Sequence, residues 1–235
     1  MKVLVTGNNG YVGTVLTNML IGKGYSVTGL DINYFESCTL EPVHQELGQI
    51  VKDIREVESK DVSGFDAIIH LAGLSNDPLG ELNPGLTKEI NYQGTVNLGR
   101  LAKKVGVQRF VYASSQSMYG ISDTENELDE DTSEKNPVTA YARTKWEAEL
   151  ELNKMHCDNF VVACFRPSTV FGASPRLRCD IVYNNLVACA YTTGKIEILS
   201  DGSLGVQWYM SRTSAKHLLQ DLKPLQSLWA VKPST

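Results

Sequence analysis

Tyr141 and Lys145 stand four residues apart in Tyr141-Ala142-Arg143-Thr144-Lys145, a spacing that puts both side chains on one face of a helix. A phenol is a poor base at neutral pH because its ordinary pKa is about 10. An ammonium beside it stabilises the phenolate and brings it toward a useful range, so the pair reads as a proton-transfer couple. Such a pair also decorates ordinary helices, and what precedes it gives it meaning. Gly7-x-x-Gly10-x-x-Gly13 lies near the start of the chain. One glycine permits a tight turn, another lets the backbone approach a phosphate, and the third lets a helix pack closely on a strand. Unpaired N–H groups at the start of that helix suit a pyrophosphate. Asp31 follows Gly10 by 21 residues, where a carboxylate accepts from an adenosine ribose and repels the extra phosphate of NADP. NAD is the expected dinucleotide, and Lys145 is placed to hold one of its ribose hydroxyls.

These residues need a scaffold that ends several strands on one edge. Apolar runs at 2–6, 26–30, 49–51, 66–71, 108–114 and 160–165 read as strands. Ala67, Ile68 and Ile69 are contiguous rather than alternating, as in a strand covered on both faces. Val12, Val15, Leu16, Met19 and Leu20 recur at helical spacing, which predicts a helix over 11–22. Further helices are expected over 84–104, 139–156 and 181–191. Strands alternating with helices give the α/β class, a doubly wound parallel sheet of Rossmann type.

Composition narrows the function classes. A chain of 235 residues buries one substantial core and a small appended lobe. A net charge of -5 argues against a dedicated nucleic-acid binder. Five cysteines, widely spaced and without Cys-x-x-Cys, fit reduced thiols better than a disulfide framework or a zinc site; no metal is expected. No segment approaches the roughly 18 apolar residues of a membrane span, and Met1–Gly7 leaves no room for a secretory signal. A soluble, cytoplasmic chain is the expectation, with a homodimer left open. Residues 123–134 hold seven acidic side chains in twelve and read as a solvated loop bordering the site.

The spacing Gly7-Asn8-Asn9-Gly10-Tyr11-Val12-Gly13 resembles the extended short-chain dehydrogenase/reductase family, in its branch of NAD-dependent nucleotide-sugar epimerases and dehydratases. Matches continue with Asp53-Ile54, His70-Leu71-Ala72-Gly73, and Asn91-x-x-Gly94-Thr95-x-Asn97, through about residue 203. The resemblance implies cofactor contacts from Gly7, Asn9, Gly10, Tyr11, Val12, Gly13 and Asp31. It implies others from Asp53, Ile54, Leu71, Ala72, Gly73, Asn91, Ser114 and Arg166, besides Tyr141 and Lys145. His70 is left as structural. Tyr112-Ala113-Ser114-Ser115-Gln116-Ser117-Met118-Tyr119-Gly120 is similar to the segment that carries the family's catalytic hydroxyl, which places it at Ser115. Substrate contacts are implied for Ser75, Ser115, Gln116, Thr169 and Arg178. Dehydratases of the family carry Asp-Glu after the hydroxyl residue; Gln116-Ser117 lacks both carboxylates. The implied activity is therefore a nucleotide-sugar epimerase of the UDP-glucose/UDP-galactose 4-epimerase kind, acting through a transient keto-sugar. Two alternatives stay open: a nucleotide-sugar dehydrogenase/reductase, and an NAD-binding regulatory or interaction protein without turnover.

The resemblance breaks after Ser203. Relatives continue with Trp-Arg-Pro-x-Val-His-Val-x-Asp, whose Arg grips substrate phosphate; by register Val206 replaces that Arg and Thr213 the Asp. One acidic residue faces four Lys or Arg over 204–235, against 26 acidic and 18 basic before it. Codons can be chosen for Leu204–Gln220 that read, two bases later, Trp-Arg-Pro-Met-Val-His-Val-Glu-Asp. This reading divides the chain into an NAD-binding domain with the catalytic residues (1–165), a partial substrate lobe (166–203), and a divergent tail (204–235). The tail is either out of frame, which the restored segment favours, or naturally divergent. An out-of-frame tail is expected to pack poorly on the sheet.

Overall fold

The computed structural model describes residues 1–40, 47–120 and 128–197, and the backbone of 208–210. Six strands form one parallel sheet: β1 (Lys2–Thr6), β2 (Ser26–Asp31), β3 (Gly48–Val51), β4 (Ala67–His70), β5 (Arg109–Ala113) and β6 (Val161–Phe165). Their spatial order is β3-β2-β1-β4-β5-β6. The chain therefore starts in the middle of the sheet, runs to one edge and returns to build the other. The reversal between β1 and β4 opens a crevice at the carboxyl ends of the strands, where ligands of such sheets bind. The expected class is what the structure shows.

The core explains why the strands read as continuous apolar runs. Val3, Val5, Val27, Ala67, Ile69 and Val111 pack on one face with Leu16 and Leu20 of α1 (Tyr11–Gly22). Leu4, Leu30, Ile68, Phe110, Tyr112 and Val162 pack on the other. There they meet Leu98 and Ala102 of α5 (Thr95–Lys104), and Ala148 and Leu152 of α6 (Ala140–Met155). Both faces are covered, so alternation along a strand chooses which helix layer is met and not core against solvent.

Three short helices precede α5: α2 (Ser59–Val62), α3 (Asp77–Leu82) and α4 (Pro84–Lys88). The helix expected over 84–104 is interrupted by a π turn at Glu89–Gly94. Beyond β6 come β7 (Thr169–Phe171), α7 (Val182–Thr193) and β8 (Trp208–Met210). β8 runs parallel to β7, with Thr169 opposite Trp208 and Phe171 opposite Met210. Three residues of the divergent tail thus have a backbone partner in the fold. They fall in the span that the shifted reading fills with Met-Val-His-Val. The rest of the tail, and the strand and turn expected up to Ser203, lie outside the described residues apart from 196–197. The same holds for residues 123–127 of the acidic loop.

Candidate active site

The glycines form a cradle that side chains would fill. Gly7 has φ 72°, and a Cβ there would stand 2.7 Å from the Ala72 nitrogen. A Cβ on Gly13 would stand 2.1 Å from the Gly7 carbonyl oxygen. Gly10 is the N-cap of α1, without a side-chain cap and with no acidic residue in the first turn. The positive end of that helix is open to an anion. At the tip of β2 the Asp31 carboxylate accepts the Asn33 N–H at 2.9 Å and the Asn9 N–H at 3.2 Å, so its orientation is fixed. The Asn9 amide donates to Asn33 at 2.6 Å and ties the same loop. These residues fit a dinucleotide.

Other expected cofactor residues have tasks inside the protein. Asp53 is gripped by Arg55, with Nη2 2.6 Å from Oδ2, which holds its carboxyl below the usual range. Ile54 is a core residue, and a Cβ on Gly94 of the π turn would stand 3.2 Å from it. The Tyr11 hydroxyl donates to the Gly172 carbonyl at 2.7 Å. That bond fastens the start of α1, where Val12 is half-buried, to the chain leaving β7. The Leu71 N–H reaches the Thr6 carbonyl and the Ala72 N–H its hydroxyl. The Asn91 side chain accepts the Leu74 N–H at 2.8 Å and donates to the Leu74 carbonyl at 2.9 Å. This clamp sets the turn after β4, and Gly73 there passes so close that a Cβ would lie 3.9 Å from Lys145 Nζ. A π turn is a common device at functional sites, and here it carries Asn91.

Arg166 is placed otherwise than expected. Its Nη2 stands 2.6 Å and its Nε 3.0 Å from Glu149 Oε1. Nη1 donates to the Tyr119 hydroxyl at 2.7 Å and to the Glu130 carbonyl at 2.8 Å. With these partners the guanidinium binds α6 to the acidic loop and is not the cofactor contact that the resemblance implied.

The reacting end gathers at the tips of β5 and β6. Ser115 caps a one-turn 3₁₀ helix, Gln116–Tyr119. Its Oγ accepts the Ser117 N–H at 3.1 Å and donates to Ser117 Oγ at 2.9 Å. Tyr141, near the start of α6, shares a hydrogen bond with Ser115. Lys145 is one turn on, its Nζ 5.9 Å from the Tyr141 ring centroid and donating 2.8 Å to the Ala113 carbonyl. Ser114 is buried, with its N–H on the Phe165 carbonyl at 2.7 Å and its hydroxyl unpartnered. The Gln116 N–H reaches the Pro167 carbonyl at 3.2 Å. Thr169 opens β7 beside this contact.

Spacing brought the proton-transfer pair together but mispredicted its electrostatics. Burial is the largest influence on the Tyr141 phenol and outweighs the Ser115 bond, so its pKa stands above the ordinary value. Burial also pushes Lys145 down to about 8. The expected fall of the phenol toward neutrality does not occur, because the same desolvation penalises both charged forms. Arg178 draws the Tyr141 value down and Asp77 pushes it up. Arg178 donates to Ser75 Oγ at 2.9 Å and pairs with Asp180 at 2.6 Å, so two expected substrate residues do meet at the mouth.

Three site residues escaped the sequence reading. Asp77 accepts the hydroxyl of Thr139, the N-cap of α6, at 2.6 Å. Glu81 accepts the Ala140 N–H, so α3 supplies two carboxylates to the start of the helix that carries Tyr141. Asn76-Asp77-Pro78 is a helix-start signature that would have revealed α3. Among the described residues, no group of His, Cys, Asp or Glu side chains is arranged to hold a metal ion, and no helix is long and apolar enough to cross a membrane.

Comparison with known proteins agrees with this geometry. A 3-beta-hydroxysteroid dehydrogenase of Mycolicibacterium neoaurum is 32% identical over 203 residues, covering 80% of this chain and 52% of its own. The UDP-glucose 4-epimerase of Bacillus subtilis is 31% identical over 219 residues, covering 85% and 63%. The chain thus spans about half to two thirds of the length of these two relatives. Among solved structures, MoeE5 in complex with UDP-glucose and NAD superposes with a TM-score of 0.80 at 26% identity, covering 94% of this chain and 71% of that one. The model of the NAD dependent epimerase/dehydratase family matches residues 3–219, running through the break at Ser203. With the cradle, the tip of β2 and the Ser115–Tyr141–Lys145 cluster in their places, the chain belongs to the NAD-dependent epimerase/dehydratase family of extended short-chain dehydrogenases/reductases.

Proposed function

We propose that this protein is an NAD-dependent nucleotide-sugar epimerase, with 4-epimerisation of UDP-glucose and UDP-galactose the leading case. The observation that carries the reading is the hydrogen-bonded Ser115–Tyr141 pair beside Lys145, on a turn that offers Gln116 and Ser117 and no carboxylate for an elimination. Gly7, Gly10 and Gly13 would admit the pyrophosphate, Asp31 an adenosine ribose, and Lys145 the other ribose. The bound dinucleotide supplies hydride acceptance and return. Ser115 Oγ would hold the reacting sugar oxygen while Tyr141 Oη takes its proton and later gives it back. Asn91 keeps the turn at Gly73 close to Lys145, and Arg178 with Ser75 would orient the sugar at the mouth.

A second reading, an oxidoreductase that exchanges its cofactor with solvent, is favoured by the similarity to a 3-beta-hydroxysteroid dehydrogenase. A third, NAD binding without turnover, is favoured by Val206 where relatives carry a phosphate-gripping Arg. A screen of nucleotide sugars with the purified protein, reading both product epimer and net NADH, decides among them. Interconversion without net NADH upholds the proposal. Net NADH selects the oxidoreductase, and cofactor binding alone selects the third.

A further inference from the structure

Lys145 is 5% exposed, and none of the ion pairs among the described residues includes it. The one buried carboxylate on its own helix, Glu149, is committed to Arg166. One carbonyl, that of Ala113, accepts from its ammonium. A buried ammonium with so little around it is costly. What lies beside it is the ring of Tyr112, with its centroid 4.8 Å from Nζ. Tyr112 is wholly buried on β5, and its ring stacks on His70 with centroids 5.6 Å apart and planes at 18°.

We propose that the ring of Tyr112 stands in for the missing counter-charge: it holds Lys145 as an ammonium and fixes it beside Tyr141, which makes Tyr112 a positioning residue. The inference rests on the reading of Lys145 as the cation that serves Tyr141. An aromatic face carries the negative part of the ring quadrupole and attracts a cation within about 6 Å, most strongly away from water. The contact is with a ring and not a phenolate, since burial raises the Tyr112 pKa. Neighbouring elements present no competing charge. His70 on β4 is kept neutral by burial, and Cys164 on β6 is kept a thiol. Tyr141 on α6 stays a phenol. Toward the solvent end, Lys88 of α4 pairs with Glu147, Glu89 of the π turn with Arg55, and Asp77 and Glu81 of α3 with the start of α6. A ring contact opposes the downward push of burial on Lys145, so the ammonium is expected to titrate above about 8, the value that burial alone gives it.

Fluorinated phenylalanines test this without changing shape, because fluorine drains the ring face and leaves the packing nearly intact. The measurement is the pH titration of the Lys145 Cε resonance in ¹³C-lysine-labelled full-length protein, assigned by its loss in Lys145→Arg. Tyr112→Phe is expected to leave the midpoint in place. Mono-, di- and trifluorophenylalanine at position 112 are expected to lower it stepwise, by about one pH unit at three fluorines. An unchanged midpoint across the fluorine series overturns the proposal, as does a fall in Tyr112→Phe as large as in the trifluoro protein. A stepwise fall combined with full turnover by Lys145→Met upholds the ring contact and removes the catalytic reading of Lys145 instead.

Discussion

The guanidinium of Arg166 closes on the carboxylate of Glu149 with 2.6 Å between Nη2 and Oε1, and the Glu149 side chain is only 2% exposed. Removing one partner leaves the other charge buried and uncompensated. Arg166→Ala or Glu149→Ala should therefore cost about 3–5 kcal/mol. Replacing both with Met and Leu should cost much less, because neither charge remains to be desolvated. Urea unfolding of the single and double variants checks this; a loss below 1 kcal/mol (order of magnitude) for either single change would contradict a buried pair.

Cofactor choice depends on the Asp31 carboxylate, held by two backbone N–H groups at the tip of β2. NAD is expected to bind more tightly than NADP. Asp31→Ala should narrow that gap by roughly tenfold, the equivalent of about 1.4 kcal/mol. Titration of both nucleotides against both proteins measures it, and equal affinities in the unaltered protein would defeat the assignment.

Proton transfer is assigned to Tyr141. Tyr141→Phe should lower turnover by about 10²–10⁴ while NAD binding persists, and Lys145→Met should impair both. Because burial holds the phenol above its ordinary value, turnover attributable to a phenolate should climb with pH through the alkaline range. Normal rates in Tyr141→Phe would remove the assignment.

His70 is buried between the Thr6 and Thr95 hydroxyls, 2.6 Å and 2.7 Å from its two ring nitrogens. Burial lowers its pKa from 6.5 to about 3. Between these values the unfolded chain takes up a proton that the folded chain refuses, so stability falls as pH drops through that window. The loss approaches about 1.4 kcal/mol per pH unit from this one group. His70→Asn should flatten the acid limb of the stability–pH curve, as read by urea midpoints from pH 7 to 4. Equal slopes in the two proteins would show that His70 is not the linked group.

The break after Ser203 is tested most cheaply at the gene. A one- or two-base change within codons 200–210 is expected to open a frame with the Trp-Arg-Pro and Val-His-Val segments. A protein carrying the restored segment should bind UDP-sugar more tightly than the present chain, since an Arg–phosphate contact is charge-assisted and Val206 has no equivalent. Equal sugar affinity in the two proteins, with the present frame verified, would sink the idea.

How far the sequence revealed the molecule follows from the range of the forces concerned. Ala67-Ile68-Ile69 disclosed a strand covered on both sides because contiguity is a local property, and Gly7, Gly10 and Gly13 disclosed their turn for the same reason. Tyr141 and Lys145 disclosed their shared face but not the direction of their pKa shifts, which burial sets from distant parts of the chain. Arg166 was misassigned because Glu149 meets it across seventeen residues of sequence and from another element. The π turn was invisible because apolar residues continue through 84–104 without a break, and an extra residue in one turn leaves little trace in a period of about 3.6.

That π turn makes the two halves of one helical stretch independent in azimuth. Residues 84–88 and 95–104 are joined without a loop, yet the widened turn rotates one against the other. The first half can then pack toward the catalytic helix while the second turns Leu98 and Ala102 into the sheet. Removing one residue from Glu89–Gly94 would re-clock everything downstream by about 100°. The core would have to choose between Leu98 and the clamp at Asn91. Segment length here acts as an angular setting, so this stretch should tolerate many substitutions and hardly any change in residue count.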